Sequence, residues 1–541
     1  MKGRNFIGIP ADKITSGSTI KSVLSVLSPL TTFICNLSYH FWHLISWQDN
    51  DFFGDGALGG KRRCKEWKRL KESEGSALYV GGIEANDISQ GALGDCYFLA
   101  ALAALAEEPK RVESLFLNTE RELGNGLYGV RWFGNGEPID TWVDTRFPYH
   151  DGKPMFSSSA VDEMWVLVLE KAFAKRFGSY QAIASGLPGD ALAEITGSPV
   201  TVCNPYRSWN SDVWSHLTAA SSSASNAMDA ANVSCASITG SPLFRLLTFG
   251  IFRYLYWLLV GLWNVLYGCG LLQCPMDFFY ALFTYVLFAI RCALAAIDGI
   301  CGGIFSRAHA FLNIMTIGLV PGHAYSVLDV KGGSCTQLVK LRNPWGKTEW
   351  GGWYSDKSLC WWVCGSLKED LGIVDEDDGS FWMHLNDFCV YFDRVDTCHI
   401  DPNSMSKRIG GKITNLRACV IFHVEHEDTL VNVQINQPRN GPQPQRMLAW
   451  RLRVVKSEDV QVQDEEQGLS PGYASQGHAF DCQKATNNMA LKPGKYAILI
   501  DCHPGDKKKV KKHVHCTVVL NSATPENIRL DVPGLEPANA I

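Results

Sequence analysis

The sequence predicts an α+β chain that ends in an all-β tail, on three observations. Apolar residues recur at helical spacing just after Cys96, strand patterns flanked by turn residues lie at 321–330 and 337–341, and short alternating strands follow one another from about residue 402. A period near 3.6 in one place and near 2 in the others separates helix from strand.

The helix comes first. Gly91, Gly94 and Asp95 in the run from Asp87 to Cys96 bring the backbone to a sharp start, and apolar positions 98, 99, 102, 105 and 106 then repeat along one face. A cysteine on the first helical turn sits beside unpaired backbone N–H groups and the positive end of the macrodipole, and both favour thiolate over thiol. Gln90, six residues upstream, puts a side-chain amide within reach of that sulfur, as an oxyanion donor requires.

A nucleophilic cysteine needs a histidine and a group that orients its ring. The chain has 14 histidines, so the surroundings must choose among them. His323 opens the strand pattern Pro321-Gly322-His323-Ala324-Tyr325-Ser326-Val327-Leu328-Asp329-Val330 straight from a glycine turn. Asn343 follows the second strand, Gln337 to Leu341, and leads into Pro344-Trp345-Gly346. Its oxygen is expected to accept from Nδ1–H of His323, which leaves Nε2 for the thiol, and Trp345 is expected to roof the pair against water. Taken singly, each feature has a plainer reading. A helix-start cysteine is most often a small buried hydrophobe, and Asn-Pro-Trp-Gly is most often only a turn. Together, in one order along the chain, they point to catalysis.

The tail is read from its alternation. Leu430 to Ile435 and Trp450 to Val454 alternate in and out, Tyr496 to Ile500 and Val514 to Leu520 are further strands, and Pro-Gly turns stand at 493–494 and 504–505. Several short strands with such turns make an antiparallel β-sandwich the expected architecture.

At this point the chain resembles the calpain family of papain-like cysteine proteases. The residues that carry the resemblance are Gln90 to Leu99, Gly322 to Ser326 and Arg342 to Gly346, joined by Leu169 to Lys175, Gly178-Ser179-Tyr180, Glu194 to Gly197 and Asp378 to Met383. Tyr97 departs from the tryptophan usual after the cysteine but keeps an aromatic ring. The resemblance spans about 76–241 and 316–541. It implies a two-lobed papain-like core, with the cysteine lobe at 76–197 and the His/Asn lobe at 198–400, followed by a calpain-type sandwich at 402–541 and preceded by an extension at 1–75. It also implies a calcium site in each lobe. The first would use the carbonyls of Val80 and Gly82 with Asp87 and Glu170. The second would use Glu349, Asp356, the carbonyl of Glu376 and Asp378, with Ser380 where the family carries a further carboxylate. Hard oxygen ligands of this kind suit calcium. No EF-hand loop pattern occurs in the sequence, so the expected member is one without the calmodulin-like domain.

The function so implied is a calcium-dependent intracellular cysteine endopeptidase making limited cuts in protein substrates. Cys96 would attack, His323 would shuttle the proton, Asn343 would orient His323, and Gln90 with the Cys96 N–H would hold the oxyanion. The alternative is a catalytically silent calpain-like scaffold or a membrane-tethered regulatory protein. Composition agrees with a cytoplasmic setting: 18 cysteines lie without paired spacing, as in a reducing compartment. No signal-peptide pattern opens the chain. A formal charge of −5 gives no reason to expect nucleic acid, and the basic run Lys507 to Lys512 reads as a solvated loop.

Two regions do not read as soluble protease. Residues 22–48 carry no charged side chain and are long enough to span a bilayer. Between Ser241 and Ile317, where the family has a short connection, about 75 residues intervene. Within this insertion (242–315), Tyr254 to Met276 is free of charge, while Phe278 to Ile300 is apolar but broken by Arg291 and Asp298. The expectation is membrane association through 22–48 and 254–300, with a packed helical pair or a translated intron as the alternatives. Seven basic residues follow the first segment between Lys61 and Lys71 and four precede it, a difference that favours the catalytic part facing the cytosol.

Overall fold

The computed structural model describes residues 48–238 and 318–530 apart from short internal stretches, the longest being 221–231, 437–448 and 457–472. The expected membrane segments 22–48 (Gln48 apart) and 254–300, the insertion 242–315 and the basic run 507–512 lie outside the described residues. Among the described residues no helix is long and apolar enough to cross a membrane.

Helix α1, Cys96–Ala106, starts where the glycine–aspartate run ends, and every residue from Tyr97 to Ala106 is buried. A helix that is apolar all round belongs inside a core rather than on a surface. The face seen at helical spacing is therefore only part of a wholly enclosed cylinder. Its alanines let neighbours approach closely: the strand His323–Gly332 runs against it, and the Ser326 hydroxyl donates to the Ala100 carbonyl at 2.8 Å. Helix α2, Trp165–Arg176, packs beside it, with Phe173 stacked on Phe98 at 4.2 Å between ring centres.

The strands form several antiparallel sheets. A six-stranded sheet runs, edge to edge, through Ser380–His384, Gln337–Arg342, His323–Gly332, Val233–Ile238, Arg394–Cys398 and Val200–Cys203. All six residues of Val233–Ile238 are buried. Alternation explains this: Val233 and Cys235 join the core that contains α1, whereas Ala236 and Ile238 join a second core with Tyr325, Leu341 and Phe388. A strand covered on both faces loses the in–out pattern a surface strand shows.

The tail strands expected from alternation lie within Thr429–Asn436, Ala449–Lys456, Gly494–His503 and His513–Ser522, and belong to a ten-stranded antiparallel set with its own core. On Thr429–Asn436, Val431, Val433 and Ile435 enter that core. The opposite face carries Asn432, Gln434 and Asn436, also buried. There the tail meets the hairpin Leu127–Gly134/Glu137–Asp144, and Arg408 Nε donates to the Gly136 carbonyl at 2.5 Å.

His384 caps the helix Leu385–Tyr391, its Nδ1 accepting the Asn386 N–H at 3.1 Å. Only a neutral ring can accept there, and burial lowers its pKa from 6.5 to about 4. As pH falls, the unfolded chain protonates this group first, so stability is present above 6.5 and is lost between 6.5 and 4. His384→Asn keeps a capping acceptor without the titration. Between pH 7.5 and 5 the parent should lose about 2 kcal/mol relative to this variant. Urea unfolding at the two pH values measures the difference, and equal pH dependence of the two proteins would refute the neutral cap.

Candidate active site

His323 and Asn343 meet at the ends of neighbouring strands. Gly322, at φ +70°, makes the turn into the first strand, and its N–H donates to the Ile238 carbonyl at 2.7 Å. Asn343 is fully buried and spends its whole side chain on four contacts. Its Nδ2 donates to the Lys347 and Thr348 carbonyls at 2.9 and 3.0 Å, and its Oδ1 accepts the Trp345 N–H at 3.1 Å. Two carbonyls on one side of the amide fix which end is oxygen, and that oxygen lies 2.8 Å from His323 Nε2. An acceptor at Nε2 requires the proton there. The expected pairing through Nδ1 is thus corrected: Nε2 serves the asparagine, and Nδ1 is left to accept a proton. The Trp345 ring lies 4.8 Å from the imidazole, tilted by 49°, in the roofing place expected of it.

Cys96 opens α1, and its sulfur lies against the backbone N–H groups of Ala324, Tyr97 and Cys96 itself. The Ala324 contact brings the thiol beside His323. These donors favour thiolate as the helix start suggests, yet burial outweighs them and pushes the thiol up to about 11. Burial likewise lowers His323 to about 4, against the help of its Asn343 hydrogen bond. Burial thus works against charge on both partners, in opposition to the donors at the helix start. Gln90 is tied into the same region, its N–H donating to the Pro344 carbonyl at 2.9 Å. Its side-chain Nε2 donates to the Leu93 carbonyl at 2.6 Å. The amide expected to face an oxyanion is turned onto its own loop. Gly91 is obligatory here, since a Cβ would come 1.7 Å from the Phe156 carbonyl oxygen.

The acidic residues fall into two groups. In the first, Asp87 closes the short turn Ala85–Asp87, but the acid that faces it is Glu163. Glu163 accepts the Val80 N–H at 3.2 Å and the Ser159 hydroxyl, and burial raises its carboxyl, with the charge of Asp87 adding to the shift. Glu170, the residue expected in this place, is buried on α2 against Asp95 and the Ser157 N–H instead. The sequence holds a signal for this exchange. Glu170 stands inside the apolar run Trp165 to Ala174, where a hydrated cation has no access, whereas Glu163 stands before that helix begins. Asp87 and Glu163, with the carbonyls of Val80 and Gly82 on the neighbouring turn, remain as oxygen donors.

In the second group, burial and the charges of Asp356, Asp378 and Asp377 raise Glu349 to about 7. Glu349 accepts the Gly379 N–H at 3.0 Å, and Asp378 accepts the N–H of Ser380 at 2.7 Å. Glu376 lies outside the described residues. Crowded carboxylates of this kind suit a hard cation, although no three His, Cys, Asp or Glu side chains among the described residues are gathered closely enough to hold a metal ion. Between the two groups, Arg342 Nε donates to Asn86 Oδ1 at 3.1 Å, and Asn86 Nδ2 donates to Asp378 Oδ2 at 3.1 Å. Neither Asn86 nor Glu163 is singled out by sequence spacing alone.

Comparison with known proteins shows the family. The family model described as "Calpain family cysteine protease" matches residues 48–399. The calpain-2 catalytic subunit of Bos taurus is 28% identical over 360 residues, covering 65% of this chain and 41% of that protein. The calpain-type cysteine protease ADL1 of Oryza sativa subsp. japonica is 29% identical over 355 residues, 64% of this chain and 13% of the relative. The calpain-1 catalytic subunit of Homo sapiens is 29% identical over 352 residues, 63% of this chain and 39% of the relative. The chain thus spans well under two thirds of the length of the relatives it matches.

Because the low pKa of His323 comes from burial, Trp345→Ala should hydrate the ring and move its titration upward from about 4 toward 6.5. Histidine C2 proton NMR follows this directly, and an unmoved titration would show that the indole does not shield the imidazole.

Proposed function

The chain belongs to the calpain family of cysteine proteases, and we propose on that footing that it hydrolyses peptide bonds in protein substrates with Cys96, His323 and Asn343. The observation that carries the reading is the His323–Asn343 pair at 2.8 Å with the sulfur of Cys96 against the next residue, Ala324. A free Nδ1 on a ring held from behind is what a thiol needs as its base.

In the proposed mechanism, Nδ1 of His323 takes the Cys96 proton as Sγ bonds to the scissile carbonyl carbon. The imidazolium is steadied by Asn343 Oδ1. The Cys96 N–H and the Gln90 amide, once turned off Leu93, hold the oxyanion. Collapse breaks the C–N bond, the amine leaves with the proton from His323, and a thioester remains on Cys96. Water, deprotonated by Nδ1, then releases the acid and restores the thiol. Burial of both partners makes charge separation costly, so this site favours a state that waits for substrate or for movement of the Gln90 loop.

Calcium is the proposed regulator. Asp87, Glu163 and the carbonyls of Val80 and Gly82 would hold one ion, and Glu349, Asp356, Asp378 and the carbonyl of Glu376 a second. The charge it supplies would relieve the repulsion within each acidic group. Because Gln90 and Arg342 join the loops that carry these acids to the reacting centre, a shift there moves the active site. Ser380 contributes no carboxylate, so the second set should bind less tightly. We also propose the two-lobed core and the tail sandwich as the architecture, a cytoplasmic location, and membrane contact through 22–48 and 254–300.

Two tests follow from these roles. Hydrolysis of an unfolded casein-like substrate should disappear in Cys96→Ala, and normal turnover by that variant would end the assignment. Glu163→Gln should raise the calcium concentration for half-maximal activity about tenfold or more, since affinity follows the charged ligands. Glu170→Gln should leave that midpoint within about twofold. The reverse order of the two variants would return Glu170 to the calcium site.

A further inference from the structure

We propose that Asp95 and Glu170 form a carboxylic acid–carboxylate pair that positions the Gln90–Cys96 loop, an inference that rests on the cysteine-protease reading above. Both side chains are buried, Asp95 completely. Neither oxygen of Asp95 receives a well-formed hydrogen bond from an N–H or hydroxyl, and the polar groups against it are the Glu170 carboxyl and the Gln90 amide. Glu170 receives the Ser157 N–H at 2.9 Å.

Two charged carboxylates cannot share such a place without a cation. The cation whose field reaches Asp95 is Arg62, but its Nε donates to Gln181 Oε1 at 2.8 Å and its Nη1 to the Ala92 carbonyl at 3.1 Å. Lys171, next to Glu170 in sequence, is committed to Asp144 and to the Arg146 carbonyl. The remaining acidic groups facing the pair are the Tyr180 phenol and the Cys96 thiol. A retained proton resolves the clash. It belongs on Glu170, which is surrounded by the apolar residues of α2. The charge belongs on Asp95, which stands at the positive end of α1. Burial and the neighbouring acid push Glu170 up strongly, in keeping with this.

The Glu170 hydroxyl then donates to Asp95, and the Asp95 charge faces the Gln90 amide, whose Nε2 donates to the Leu93 carbonyl at 2.6 Å. That amide is the proposed oxyanion donor, and Asp95 is bonded directly to Cys96. The pair therefore acts on the reaction twice, by aiming Gln90 and by placing a negative charge that opposes thiolate formation at Cys96. Neither residue touches substrate, so both are positioning residues.

The experiment uses the full chain with three variants. Glu170→Ala removes the donor and should lower kcat about tenfold or more with KM nearly unchanged. Glu170→Gln restores a donor and should recover most of that loss. Asp95→Asn removes the charge beside the sulfur, so the acid limb of Cys96 alkylation by iodoacetamide should move to lower pH. A Glu170→Gln protein as slow as Glu170→Ala would overturn the proposal, as would an alkylation limb unmoved in Asp95→Asn. Alkylation needs no turnover. A parent chain that cleaves nothing, with the limb still shifted in Asp95→Asn, would therefore sink the protease reading while sustaining the pair.

Discussion

The side chain of Asn343 is the fixed point from which the rest of the reacting centre is set. Its amide donates twice to the carbonyls of the loop that follows it, and its oxygen accepts twice, from Trp345 and from His323. No rotation of the amide keeps all four, so the imidazole tautomer is decided by backbone positions some residues away. Arg342, also buried, pins the residue before it through Asn86 and the Ile88 carbonyl. The geometry at His323 is thereby inherited from the strand pairing of Gln337–Arg342 rather than from any freedom of the ring.

Helix α1 supplies the opposing half of the site with comparable rigidity. Enclosure of Tyr97 to Ala106 leaves the helix no direction in which to tilt, and the Ser326–Ala100 hydrogen bond fixes it along the strand that begins with His323. A close-packed interior transmits small displacements instead of absorbing them. What remains adjustable is the loop before the helix. Its glycines pack against the carbonyls of Phe156 and Ala184 in neighbouring segments of the same chain, and its polar side chains answer to one another.

Much of this was legible in the sequence. Cys96, His323, Asn343 and Trp345 were found from residue type, order and turn signals, because nucleophile, base and orienting amide sit at element ends, where glycine and proline mark the chain. The tail strands were legible because one face alternates. Three things were not. The ring nitrogen that serves Asn343 depends on where the amide spends its donors, which no spacing records. Thiolate stabilisation at a helix start competes with burial, and burial is a property of the assembled core. Glu163 is not singled out by spacing, and only its place before the apolar run Trp165 to Ala174, within which Glu170 is swallowed by the interior, separates the two acids.

The strand pairing at Ile238 bears on the long stretch that follows it. Ile238 stands opposite His323 in register, and the Gly322 N–H closes the pair onto the Ile238 carbonyl. The chain thus leaves the sheet and re-enters it at two adjacent points, as if across an ordinary hairpin. The free energy of closing such an excursion grows only with the logarithm of its length, about 0.6 kcal/mol for each doubling. Once the ladder from Ser234 to Ile238 has formed, the sheet is nearly indifferent to how many residues are threaded through that doorway. An excursion of great length can therefore be gained or lost during descent without disturbing the histidine at its threshold.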